Sequence, residues 1–144
     1  MKSAGEMIKI IEEKVMENSS DDVKRLVEKC YNDGLVFETK VVGTTYQENA
    51  QKALERLVTL DKSLYPAVME REDWNEYDSN AVAVKVKGKG DRYVKMGYVN
   101  KNLAKIFRYM EQHGIEIETE GYLVSGGGDF RYGMVLLYRL RPEE

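Results

Sequence analysis

At 144 residues, 42% hydrophobic and 33% charged, the chain is the size of one ordinary domain and can bury a core, which excludes a disordered segment. No apolar run nears the roughly 20 residues a membrane span needs, and the acidic residues in MKSAGEMIKIIEEK exclude a secretion signal, so a cytoplasmic protein with no membrane partner is expected. A single cysteine excludes an internal disulfide and a cysteine-built zinc site, and a net charge of −3 argues, as a bulk figure, against nucleic acid.

Residues 3–18 have a helical pattern, with Met7, Ile8, Ile11 and Val15 on one stripe. Ser19 and Asp22 have capping-box spacing and predict a second helix. Its apolar positions include Val23, Leu26, Val27 and Cys30, so Cys30 reads as a core residue. Asn32-Asp33-Gly34 stops it, giving a helical hairpin over residues 1–34. LVFETKVVG then predicts a strand ending at Gly43. Thr45 and Glu48 repeat the capping-box spacing ahead of a helix marked by Ala50, Ala53, Leu54, Leu57 and Val58. Strands over 66–72, 80–86 and 92–99 follow, the last two joined by the turn GKGD. Asn100 is placed to cap a helix over 101–113, with Gly114 as its stop. Strands over 115–125 and 131–140 flank the loop GGGDF. This order predicts an α+β chain, mainly β: a small barrel with two inserted helices over 35–144, behind the hairpin.

The charge is unevenly spread. Residues 85–108 hold eight basic side chains against Asp91 alone, a net of +7 inside an acidic chain. Affinity for phosphates follows the local field, so this block is a candidate polyanion footprint, although lysines on hairpin loops give the same pattern. His113, the one histidine, sits at a predicted helix end, where imidazolium suits the dipole. Glu70, Glu72, Asp73, Glu76 and Asp78 supply metal-type ligands without the glycine and final glutamate of an EF-hand loop. Ser125-Gly126-Gly127-Gly128 lacks the lysine of a P-loop. No catalytic constellation stands out, so a non-enzyme without cofactor or metal is expected. Residues 73–80, DWNEYDSN, place Asn75, Tyr77, Asp78 and Asn80 at the mouth of a strand, either to tie a turn or to hold a ligand.

Three ordered blocks carry a family resemblance: FETKVVGTTY (37–46), EREDWNEYDSNAVAV (70–84) and MGYVNKNLAKIF (96–107). Together, over about residues 36–140, they resemble the HIRAN domain, a module fused to helicase-like remodelling enzymes in eukaryotes and also found in bacterial proteins. The resemblance implies an OB-like or SH3-like β-barrel that binds single-stranded DNA, captures its free 3′ hydroxyl end and serves DNA repair. By position, Tyr46 and Tyr77 would stack on bases, Asn75 would contact a base or sugar, and Asp78 would accept the terminal hydroxyl's hydrogen bond. Lys101 would meet a phosphate and Phe130 would lie against a base. Tyr98 stands where the family also has histidine. The family's arginine falls at Thr45 and its next aromatic at Gln47, while Glu76 adds negative charge beside the pocket. Two alternatives stay open: a protein-interaction domain that uses the helical hairpin as its contact surface, and a metal-dependent hydrolase or nuclease built on the acidic cluster.

Overall fold

Two of the four helices described start with a polar side chain on the free backbone amides, and two start without one. The computed structural model describes residues 2–143. Helix α1 (Ala4–Met16) opens on a capping box: the Ser3 hydroxyl accepts from the Glu6 amide at 3.2 Å and the Glu6 carboxylate accepts from the Ser3 amide. Helix α2 (Ser20–Asn32) opens differently from expectation. The Ser19 hydroxyl donates to the Asp22 carboxylate at 2.7 Å and caps no backbone amide. The predicted box at Thr45 and Glu48 is also absent, because residues Thr44–Tyr46 turn as a 3₁₀ segment and α3 (Glu48–Leu57) starts beyond it without a side-chain cap. Buried Gln51 anchors that helix instead. Its Nε2 donates to the Thr44 and Tyr132 carbonyls at 3.0 and 2.8 Å, and its Oε1 accepts from the Tyr132 amide at 2.8 Å. Helix α4 (Lys101–Gln112) has the expected cap, with the Asn100 side chain accepting from the amides of Asn102 and Leu103.

The strands form two antiparallel sheets. In one, β1 (Phe37–Lys40) and β5 (Ile115–Gly127) flank β6 (Phe130–Pro142); in the other, β2 (Ala67–Arg71) and β4 (Tyr93–Tyr98) flank β3 (Val82–Lys87). One continuous apolar core joins them to the helices. Met7, Ile11 and Val15 of α1, Val23 and Val27 of α2, and Phe107 of α4 are all buried in it. Phe37 stacks on Tyr138 at 5.5 Å between ring centres, and Phe107 meets Tyr138 edge-on at 5.1 Å. Arg139 donates to the Tyr31 carbonyl at 2.9 Å and lies over the Tyr31 ring, which fastens α2 to β6.

The architecture is α+β, but the expected barrel does not close. Among the described residues the two sheets share a single backbone bridge, where Val42 and Tyr98 exchange amide-to-carbonyl hydrogen bonds of 2.8 and 2.9 Å. Along the opposite seam, hydroxyls take the place of a ladder: Thr119 donates to the Ala67 carbonyl and Tyr122 to the Tyr65 carbonyl. Among the described residues, no helix is long and apolar enough to cross a membrane.

Gly97 makes the corner bridge possible. A Cβ there would stand 2.2 Å from the Val42 carbonyl oxygen and 3.0 Å from a Val41 methyl. Gly97→Ala should therefore destabilise the fold by about 1–3 kcal/mol in chemical denaturation. Gly5→Ala, on α1 where an added Cβ would stand 3.9 Å from the Ser3 hydroxyl, should be neutral or stabilising by up to about 1 kcal/mol.

Candidate nucleic-acid interface

The segment between β2 and β3 is folded by its own polar side chains. The Glu72 amide donates to the Ala81 carbonyl at 2.8 Å and closes the loop at its base. Inside it, the Asn75 Oδ1 accepts from the amides of Tyr77 and Asp78 at 2.9 and 3.1 Å. The Asp78 Oδ1 accepts from the Asn80 amide at 2.9 Å. These side-chain turns satisfy the amides of Tyr77, Asp78 and Asn80. They also turn the Tyr77 ring outward, where it is 91% exposed.

Beneath the loop lies a carboxylate that the sequence does not single out. Glu72 is only 2% exposed. Its Oε2 accepts from Lys95 Nζ at 2.7 Å, and its Oε1 accepts from the Tyr98 hydroxyl at 2.9 Å and from Asn75 Nδ2 at 3.1 Å. Lys95 also donates to the Tyr98 hydroxyl at 3.0 Å. Burial pushes the Glu72 carboxyl up, but the hydrogen bonds from Lys95, Asn75 and Tyr98 outweigh it and hold the group below its usual range. The bonds to Glu72 and Tyr98 hold Lys95 above its usual value.

Above this network runs a groove of about 310 Å³, lined by Val42, Asn75, Tyr77, Asp78, Ala81, Tyr98, Val99 and Lys101. Five of the seven sequence-derived candidates thus meet in one place. Their availability differs. Asn75 spends its oxygen on two amides and its nitrogen on Glu72, and Tyr98 spends its hydroxyl on Glu72, so both are chiefly parts of the scaffold. Asp78 keeps Oδ2 free of hydrogen bonds, and exposed Lys101 makes no ion pair among the described residues. The groove therefore offers a carboxylate, an ammonium, an aromatic face and an apolar floor.

Tyr46 and Phe130 lie outside this lining. Tyr46 is 90% exposed on the 3₁₀ turn, and Phe130 borders a separate cleft with Gln51, Lys52 and Arg131. Arg131 brings their loops together, donating from Nε and Nη2 to the Thr45 carbonyl at 3.0 and 2.8 Å and pairing with Glu48. Trp74, outside the candidates that the family pattern names, is 73% exposed on the same loop as Tyr77. Its signal in the sequence is that of the one tryptophan of the chain, in a polar segment outside any apolar period.

The basic block is partly spent within the protein. Lys85 pairs with Glu70, Lys95 with Glu72, and Arg108 with Asp73. Arg108 also donates to the Ser79 carbonyl at 3.1 Å, so it clamps the loop instead of facing the groove. The same pairs disperse the acidic cluster, and no group of three His, Cys, Asp or Glu side chains among the described residues is placed to hold a metal ion.

In comparison with known proteins, residues 35–138 match the family model of the HIRAN domain. No curated protein and no solved structure matches the chain.

The Glu72 network has a pH signature. A carboxyl with a lowered folded-state pKa contributes stability that is present above its unfolded value and is lost as pH falls through the folded one. Wild type should therefore lose more stability than Glu72→Gln as pH drops below the ordinary value near 4.5. At pH 7 the variant should be less stable by about 1–3 kcal/mol, since Lys95 then lacks its charged partner. Denaturant melts at pH 7 and at pH 3 measure both effects.

Proposed function

Since the chain belongs to the HIRAN domain family, a family of nucleic-acid-binding modules, we propose that it binds single-stranded DNA and holds the free 3′ hydroxyl end in the groove between the 72–81 loop and the start of α4. One observation carries this reading: the free oxygen of Asp78 and the exposed ring of Tyr77 on a preorganised loop, and the ammonium of Lys101 at the start of α4, without an ion pair among the described residues, border one groove. The chemistry of each suits a strand end. An aromatic face stacks on any base for about 1–3 kcal/mol. An ammonium attracts a phosphate. A carboxylate accepts a hydroxyl proton but repels a phosphate in the same position, so Asp78 discriminates a terminus from a continuing chain. Tyr46 and Phe130, on the two loops that Arg131 joins, extend the stacking surface to further bases. In this role the two sheets stand in for the family's OB-like barrel.

Fluorescence anisotropy with a labelled ten-nucleotide strand tests the proposal. Binding should be tight at low salt, weaken with added salt and fall sharply when the 3′ hydroxyl is replaced by a 3′ phosphate. Tyr77→Ala should lose about 1–3 kcal/mol of binding energy. Asp78→Asn, which keeps the acceptor for the Asn80 amide, should narrow the gap between the two strand ends. Equal binding of both ends by wild type would remove end capture; no binding to either would remove the function.

A further inference from the structure

A second recess lies at the other end of the β2–β3–β4 sheet. Lys87 is four positions along β3 from Ala83, the cross-strand partner of Tyr98. At about 3.3 Å per residue this places the recess about 13 Å from the groove described above. Its volume is about 110 Å³, with an aliphatic floor of Leu57, Val86, Val94 and Met96. Leu60 at its edge is 43% exposed, and Tyr93, paired across the ladder with Lys87, is 47% exposed. Arg56, Lys87 and Lys89 line the same recess, and no acidic residue does. None of these three cations makes an ion pair among the described residues, in contrast to Lys85, Lys95 and Arg108.

We infer that this recess docks an acidic peptide segment of a partner protein, taking one large apolar side chain into the pocket and its flanking carboxylates onto Arg56, Lys87 and Lys89. The size decides the first part. Small-molecule sites usually have about 300–1,000 Å³, whereas this volume suits a single side-chain anchor of the kind that dominates interface energies. The charge decides the second, because three cations with no acid among them favour an anionic partner. Tyr65 also lines the recess beside the aliphatic floor. An aliphatic or phenyl side chain can fill that floor without burying any polar group against it, whereas a base would set polar edges on leucine, valine and methionine. Because the recess is separate from the candidate strand-end groove, both are open at once, and the protein can join a nucleic-acid end to an acidic partner.

The test uses fluorescein-labelled acidic hexapeptides that differ only at a central position, Leu, Phe, Trp or Ser, with the full-length chain. The inference expects saturable binding of at least one apolar-centred peptide and none of the Ser peptide. It expects at least about a tenfold loss in the double variant Arg56→Glu, Lys89→Glu, since both residues are exposed and their reversal sets like charges against the peptide. A saturating ten-nucleotide strand should leave peptide binding unchanged. Equal binding of Ser and apolar peptides would reduce the site to general charge attraction and overturn the inference. So would absence of binding across the panel, and so would displacement by the strand, which would assign the recess to the nucleic-acid path. These outcomes are independent of whether Tyr77 and Asp78 hold a strand end.

Discussion

A buried carboxylate has to be surrounded by donors, and Glu72 meets that requirement by drawing three of them from two parts of the chain. Asn75 comes from the loop that follows β2, and Lys95 and Tyr98 come from β4. The loop is thereby fixed to the strand that forms the opposite wall of the groove. Once Asn75 is held, its oxygen is placed to accept from the next two loop amides, and the Tyr77 ring is directed outward. Tyr98 belongs to the same network, and its backbone makes the one bridge to Val42 that links the two sheets. The groove thus depends on two contacts at one corner, the polar network under the loop and the close approach that Gly97 permits.

This arrangement divides the conspicuous polar residues into engaged and unengaged groups. Asn75, Glu72, Lys95 and Arg108 hold the loop in shape. Asp78 Oδ2, the Tyr77 ring and Lys101 border the groove without a hydrogen-bond or ion-pair partner among the described residues. Preorganisation of this kind spares the ordering cost that a loose loop would incur on binding. It also bears on the polyanion footprint. Pairing with Glu70, Glu72 and Asp73 withdraws three cations from the +7 segment, so the cations left near the groove are few and Lys101 is foremost among them.

Much of the secondary structure was legible in the sequence because it rests on local rules. The apolar spacing of α2, the Asn100 cap and the glycine after α4, with φ of +78°, all act within a few residues. Side-chain chemistry that chooses among several partners was less legible. Ser19 with Asp22 has the same spacing as Ser3 with Glu6, yet only the second pair caps a helix. Closure of the barrel needed a ladder between β2 and β5, and that seam holds instead two hydroxyl-to-carbonyl bonds whose partners lie 52 and 57 residues apart in the chain. The candidate residues were found through a family pattern, which names positions but not the state of each atom. That the Asn75 side chain is engaged on both its atoms, and that Glu72 is the centre of the loop, follows only from contacts 2 to 26 residues apart.

Chemical-shift mapping of the ¹⁵N-labelled chain with a short single strand bearing a free 3′ hydroxyl tests the location and nature of the site most directly. The account predicts saturable shifts concentrated on Val42, residues 75–81 and residues 98–101. Stationary amides in those segments, with shifts elsewhere or none at all, would contradict it.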